Sequence, residues 1–187
     1  MSKIIGFDDI TGDNRLWATH YEGDEDNILN TVFEQWDDIM WLREFFKNNL
    51  DDLNKYFNIR DIDIAIDITT EDNDILQRKM LDISPDANLD ELFRPLNNWQ
   101  TSEVTLNREK ANPKTITRHS SWLRIYALKL DDGSYIITGG AIKLTHTMQE
   151  REHTLKELLK QEQVRIYLLE NNIIDTDSFI DYIAETN

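Results

Sequence analysis

Residues 120–170 read SSWLRIYALKL (120–130), DDG (131–133), SYIITGGAIKLTHT (134–147) and MQEREHTLKELLKQEQVRIYLLE (148–170). The runs on either side of residues 131–133 are rich in β-branched and aromatic residues, which favour strands. Because Asp and Gly tolerate the positive φ angles of tight turns, the sequence predicts a β-hairpin. Gly139 and Gly140 predict a bend or bulge in its second strand.

A long amphipathic helix is expected after the hairpin. Thr147 and Glu150 have the spacing of a capping box at its start. Asn171 and Asn172 mark its end, because Asn adopts the left-handed conformation of a helix C-terminus more readily than most residues. The apolar stripe of this helix should comprise Leu155, Leu158, Leu159, Ile166 and Leu169.

The N-terminal half is predicted to be mainly helical, with a first strand within residues 14–22. Residues 61–68 fit two interpretations. Their isoleucines alternate as in a strand, but the Asp and Ala residues between them are poor strand formers, and Ile62 and Ile66 are also spaced as a helical pair. We favour a helix here, a separate helix over 75–81, and a strand over 103–107.

These patterns predict an α+β fold in which a small antiparallel sheet with a central hairpin is packed by N-terminal helices and a long C-terminal helix. A length of 187 residues fits a single domain, 1–187. Within it we distinguish a mainly helical acidic part, 1–92, from a hairpin-plus-helix core, 93–187.

The composition excludes several classes of protein. There is no cysteine, which removes disulfides, thiol nucleophiles, zinc fingers and iron–sulfur clusters. The N-terminus has no apolar signal-peptide core, and no apolar run approaches the ~20 residues of a membrane span. We therefore expect a cytoplasmic protein with no membrane partner.

The charge is distributed unevenly along the chain. The net charge is −16, and residues 1–100 hold 9 Lys and Arg against 23 Asp and Glu. Residues 101–165 hold 11 against 8, so the cationic section coincides with the hairpin, its approach and its helix. A strongly acidic protein is by default not expected to bind nucleic acid, so an RNA site would have to lie in this section.

Cationic and aromatic side chains collect around the predicted hairpin. Side chains alternate along a strand, so Arg124 should share a face with Trp122 and Tyr126. Arg and Lys bind phosphate, an aromatic ring stacks on a base, and His moves protons near neutral pH. The alternative is a solvent-facing strand with ordinary surface charges. The candidate catalytic residues are Arg124, Lys143, His146 and His119, and the candidate RNA-binding residues are Arg118, Tyr126 and Lys114.

No cofactor or metal is predicted. Asp61, Asp63 and Asp67 are reminiscent of a calcium loop but lack its central Gly and closing Glu at the required positions. The four histidines have no metal-ligand spacing, and no nucleotide-binding or nucleophile-elbow motif is present.

The hairpin region resembles the RelE/HigB superfamily of toxin–antitoxin ribonucleases, in particular its phage-derived HigB-like branch. The similar segments are Arg124-Ile125-Tyr126, the turn with Gly133, residues 140–145 (GAIKLT), the helix through Arg165, and the upstream residues 93–96 (FRPL). Leu144 stands where the family usually has a second lysine, and the long acidic N-terminal part is a further departure.

The resemblance implies metal-independent cleavage of mRNA, usually on the ribosome, and neutralisation by an antitoxin protein. It assigns Arg124 and Lys143 to a phosphate clamp, whereas His146 or His119 is suggested for proton transfer by side-chain chemistry alone. The alternative function is a non-catalytic interaction protein on a RelE-like fold that binds a basic protein partner through its acidic half.

Overall fold

A computed structural model describes residues 2–95, 107–111, 121–131 and 133–186, with only the backbone described at 107–109. The fold is α+β, as predicted. Six described strands form one mixed sheet in the order β1-β2-β6-β5-β4-β3. The strands are β1 (Ile4–Asp9), β2 (Leu16–Tyr21), β3 (Arg94–Pro95), β4 (Asn107–Ala111), β5 (Leu123–Lys129) and β6 (Tyr135–Ile142).

The helices come from both ends of the chain. They are α1 (Ile28–Asp37), α2 (Ile39–Asn48), α3 (Leu50–Phe57), α4 (Ile62–Leu81), α5 (Glu152–Glu170) and α6 (Thr176–Thr186). Short polar side chains begin the first two: Asn27 accepts hydrogen bonds from the first turn of α1, and Asp38 does so for α2. Asn58 ends α3 in the left-handed conformation.

The predicted hairpin is β5 and β6, which pair antiparallel on either side of the turn at residues 131–133. Gly133 has a φ of 91°, which explains the glycine in the turn. The register shifts between Tyr126 and Ala127, whose partners are Gly139 and Ile137. The bulge therefore lies beside the glycine pair, and β6 is bordered by β2 in a parallel pairing.

Two predictions for the N-terminal half need correction. Residues 62–81 form one continuous helix, so the helical interpretation of 61–68 is confirmed and the separate helix over 75–81 is wrong. The isoleucine alternation misleads because Ala65, Ile66 and Thr69 form a buried helical face that packs against neighbouring helices. The edge strand β1 was not predicted, and most of the predicted strand 103–107 lies outside the described residues.

The long helix α5 is present but differs in detail from its prediction. The capping box of Thr147 and Glu150 forms, yet it caps a short 3-10 turn, Met148–Glu150, ahead of the helix. Leu159, Ile166 and Leu169 are exposed, contrary to the expected stripe. The buried positions are Thr154, Gln161, Val164 and Leu168.

The two faces of the sheet are covered by different helices. On one face, the Val32 side chain of α1 approaches Gly140, and Trp122 packs against Phe46 and Phe57 from α2 and α3. We call this face, against which α1, α2 and α3 pack, the helix-covered face, although α5 and α6 cover part of the opposite face. On the other face, α5 lies over β6, and α6 places Phe179 against β1 and β2.

A membrane-spanning helix was sought among the described residues, and none is long and apolar enough for that role.

Candidate anion-binding site

Strand pairing brings three side chains into one row on the face opposite to the helix-covered face. Arg94 on β3 pairs with Lys110 on β4, and Lys110 pairs with Tyr126 on β5. Residues directly opposite each other in neighbouring strands point to the same side of a sheet. Arg94, Lys110 and Tyr126 therefore share a face, although Arg94 and Tyr126 are 32 residues apart in the sequence.

Arg124 and Lys143 extend this row along the sheet. Arg124 is two residues from Tyr126 and pairs with Ala141 on β6. Lys143 is two residues beyond Ala141, and its backbone N–H donates to the Trp122 carbonyl (2.8 Å). Side chains two positions apart in a strand share a face, which places Arg124 with Tyr126. Lys143 follows the end of β6, and it lies near the others because its charge acts on Lys110 and the charge of Arg124 acts on it. We call Arg94, Lys110, Arg124 and Lys143 the cation cluster.

The members of the cation cluster are close enough to repel one another. Burial, together with the charges of Arg94, Arg124 and Lys143, lowers the pKa of Lys110 to about 8. Burial also lowers the pKa of Arg124, and Arg94 adds to that effect. The pKa of Lys143 is lowered by burial and by Arg124, with a partial offset from Glu150.

Backbone carbonyls satisfy part of this charge. The Nη1 of Arg124 donates to the carbonyls of Ser121 (2.8 Å) and Leu123 (2.7 Å). The Nζ of Lys143 donates to the carbonyl of His146 (2.6 Å). These bonds hold Arg124 and Lys143 toward the 121–123 end of the sheet, whereas Arg94 is exposed at the β3 edge. A guanidinium has five N–H donors and an ammonium three, so donors remain for a ligand.

Tyr126 lies under the cluster, but not as predicted. Its ring is fully buried beside Ala141, Met148 and Leu158, so it offers no face on which a base could stack. Its hydroxyl is also buried and has no hydrogen-bond partner among the described residues. Burial raises the pKa of this hydroxyl, so it stays protonated and can donate.

A buried carboxyl group lies nearby on α5. Glu157 forms an ion pair with Lys160 through Oε1 (2.8 Å), and its Oε2 has no partner among the described residues. This carboxyl group rests directly against Gly139, where any side chain would overlap it. Burial raises the pKa of Glu157 above its usual range, partly offset by Lys160.

The described histidines next to the cluster have structural contacts. His146 is exposed, and its ring packs edge-on against the Tyr56 ring with the centroids 4.9 Å apart. His153 places Nε2 2.8 Å from the Ile142 carbonyl. Neither ring makes a hydrogen bond with a member of the cation cluster in the described part of the chain.

The predicted partnership of Arg124 with Trp122 is wrong. Trp122 precedes the strand, and its indole N–H donates to Thr69 Oγ1 of α4 (2.9 Å). The indole ring is fully buried on the helix-covered face. Strand alternation does not apply to a residue outside the strand, and burial of a large ring among helices fixes its direction instead.

The structure therefore brings together Arg124, Lys143 and Tyr126 of the predicted residues. Lys114, Arg118 and His119 lie outside the described residues. Two members of the cluster, Arg94 and Lys110, were not predicted as site residues. Lys110 was missed because the predicted strand ended at Asn107, whereas β4 continues to Ala111 and places Lys110 beside the hairpin.

No group of three or more His, Cys, Asp or Glu side chains in the part of the chain that the structure describes could hold a metal ion. The cation cluster would suit an anionic ligand, because half-buried like charges are stabilised when a negative group replaces the lost water. Arg and Lys side chains supply the charged N–H donors that phosphate oxygens accept.

In comparisons with known proteins, no family model, no curated protein and no solved structure matched this chain.

Proposed function

We propose that the protein binds RNA at the cation cluster and cleaves it, as a toxin of the RelE/HigB type neutralised by an antitoxin protein. The observation that carries the proposal is the gathering of Arg94, Lys110, Arg124 and Lys143 on one sheet face, where burial first and neighbouring cations second lower the pKa values of Lys110, Arg124 and Lys143. Concentrating positive charge against its own repulsion destabilises the fold, and a bound phosphate backbone would relieve that repulsion.

The same groups suit cleavage by in-line attack. The 2′-oxygen bonds to the adjacent phosphorus, its proton goes to a base, and the 5′-oxygen leaves with a proton from an acid. Arg124 and Lys143 would stabilise the charge that develops on the phosphate oxygens. Lys110, with a pKa of about 8, is partly an uncharged amine near neutral pH and so can accept a proton. The roles of His146 and His119 as proton donors stay predictions.

The test measures RNA binding and cleavage by the purified protein in excess chelator. Labelled single-stranded RNA should bind by fluorescence anisotropy and be cut to products ending in 2′,3′-cyclic phosphate. Arg124→Ala and Lys143→Ala should each reduce cleavage at least tenfold, on the order of what one charged transition-state contact contributes. Lys156→Ala is the matched control, because Lys156 is an exposed cation of α5 whose ion pair with Glu152 lies along its own helix.

Expression in bacteria gives an independent test. The proposal expects growth arrest with the unchanged protein and relief with Arg124→Ala. Harmless high-level expression, together with intact RNA in a translating extract, would reject the nuclease.

The uneven charge favours a second candidate function. Residues 1–100 carry 23 acidic against 9 basic side chains, and the exposed acidic ones include Asp63, Asp67, Glu71 and Asp74 on α4 and Glu44 on α2. A non-catalytic protein that binds a basic partner through this half would show no RNA cleavage. It would instead bind a basic protein with an affinity that falls with salt and is unchanged by Arg124→Ala.

A further inference from the structure

The four members of the cation cluster lie on a diagonal across the sheet. Arg94 and Lys110 are at the level of Tyr126, Arg124 is two residues further along, and Lys143 is at the level of residue 122. From Lys110 to Arg124 and from Arg124 to Lys143, each step toward β6 is accompanied by a step of two residues in one direction along the strands, whereas Arg94 lies level with Lys110. The positive charge forms a track rather than a ring.

Sheet geometry sets the scale of this track. Neighbouring strands are about 4.8 Å apart, and residues two positions apart along a strand are separated by about 6.7 Å. The Cα atoms of Lys110 and Arg124 are therefore about 8 Å apart, as are those of Arg124 and Lys143. The whole diagonal from Arg94 to Lys143 extends about 20 Å.

The side chains at one end of the track are held away from those at the other. Arg124 is bonded to the carbonyls of Ser121 and Leu123, and Lys143 to that of His146. Arg94, at the opposite end, is exposed on the sheet edge. Because these bonds oppose convergence on a single point, one phosphate group cannot be contacted by all four cations at once.

We infer that the ligand is a single-stranded RNA segment that lies along this diagonal and places at least three successive phosphates over the cation cluster. The inference rests on the proposed function and adds to it the length and the path of the bound strand. A cationic groove that follows the backbone is how sequence-tolerant single-strand binding is achieved. Base stacking on Tyr126 contributes nothing, because its ring is buried.

The test compares uridine oligonucleotides of one, two, three and six residues by fluorescence anisotropy or competition, at 25 to 300 mM salt. Each released phosphate counterion contributes a slope of about −0.7 to log K against log [salt] for single strands. We expect a slope near −2 or steeper with the hexamer, and affinity that rises at least tenfold between one residue and three. Arg94→Ala and Lys143→Ala, at the two ends, should each reduce the slope by about 0.7 and their effects should add. Lys156→Ala should leave the slope unchanged.

The possible failures are distinguishable. If the hexamer binds with a slope near −0.7 and a mononucleotide competes equally well, the track is rejected while RNA binding stands. If no oligonucleotide binds, the proposed function is rejected together with the track. Tighter binding of an acidic peptide than of the hexamer would also reject both. Unfolding curves of the two alanine variants exclude misfolding as the cause of any loss.

Discussion

The two faces of the sheet differ in the side chains that they bury and in the charges that they gather. On the helix-covered face, Trp122 is fully buried, packs against aromatic rings and has its indole N–H bonded to Thr69. On the other face, the cation cluster has lowered pKa values, and the Tyr126 hydroxyl and Glu157 Oε2 are buried without described partners. On the first face, the buried Trp122 ring is hydrogen-bonded and stabilises the fold. The second face gathers like charges that burial disfavours, which is a condition expected of a ligand-binding surface.

The largest expected effect separates the two faces by stability. Trp122→Ala should lower the free energy of unfolding by about 3–5 kcal/mol, because it removes a buried ring and leaves a cavity among α2, α3 and α4. Arg94→Ala, on the other face, should change it by less than about 0.5 kcal/mol because Arg94 is exposed. Urea unfolding followed by tryptophan fluorescence and circular dichroism measures both. Equal losses in the free energy of unfolding for Trp122→Ala and Arg94→Ala would contradict the proposed difference between the two faces.

The neighbouring glycines of β6 give a sharper comparison. A Cβ at Gly140 would lie 2.9 Å from Val32 Cγ1 and 3.0 Å from the Arg124 carbonyl oxygen, so Gly140→Ala should cost about 1–3 kcal/mol. A Cβ at Gly139 would instead meet the end of the Glu157 side chain, which can rotate away. Gly139→Ala should therefore cost less than Gly140→Ala in the same unfolding assay. The reverse order would mean that α5 is the more rigidly packed element.

Removing a charge from the cation cluster should stabilise the protein. Lys110→Met removes a charge whose pKa of about 8 shows that the folded state disfavours it. We expect a gain of about 1 kcal/mol at pH 7, together with weaker RNA binding. In the unchanged protein the unfolded state binds more protons than the folded state between pH 8 and 10, so the Lys110 contribution to stability should rise with pH in that window. A loss of stability in Lys110→Met would show that the charge is compensated in the folded state.

The smallest expected effect is on the pH dependence of RNA binding. As the pH rises through about 8, Lys110 loses its proton in the free protein and affinity should fall by roughly fivefold, the value of one charged contact of about 1 kcal/mol. Lys110→Arg keeps the charge and should retain affinity to higher pH. Anisotropy titrations from pH 6.5 to 9.5 at constant ionic strength measure this. Identical pH profiles of RNA affinity for the unchanged protein and for Lys110→Arg would show that Lys110 does not contribute to RNA binding.

Much of the fold was predictable because local patterns coincide with the final structure. The hairpin at 131–133, the helix that ends at Glu170 and the helix from Ile62 follow from turn residues, caps and apolar spacing. The errors arose where tertiary contacts override those patterns. The stripe of α5 was misassigned because this helix buries Thr154 and Gln161 against the sheet, while Leu159 and Ile166 stay exposed.

The site was predictable only in its hairpin part. Arg124 and Lys143 could be placed together because one turn joins their strands. Arg94 and Lys110 could not, because β3 has two residues and its pairing with β4 leaves no local signal. The burial of Tyr126 could not be predicted either, since it depends on Met148 and Leu158 from elements that follow the hairpin.

By itself, the amino-acid sequence determined the helices, the hairpin and the position of the cationic section, because these depend on spacing and charge within a few residues. Tertiary structure alone decided which cations meet, which aromatic rings are accessible and which polar atoms are left without partners. Those outcomes depend on strand register and on the helices that cover each face, and both are set by contacts between residues far apart in the chain.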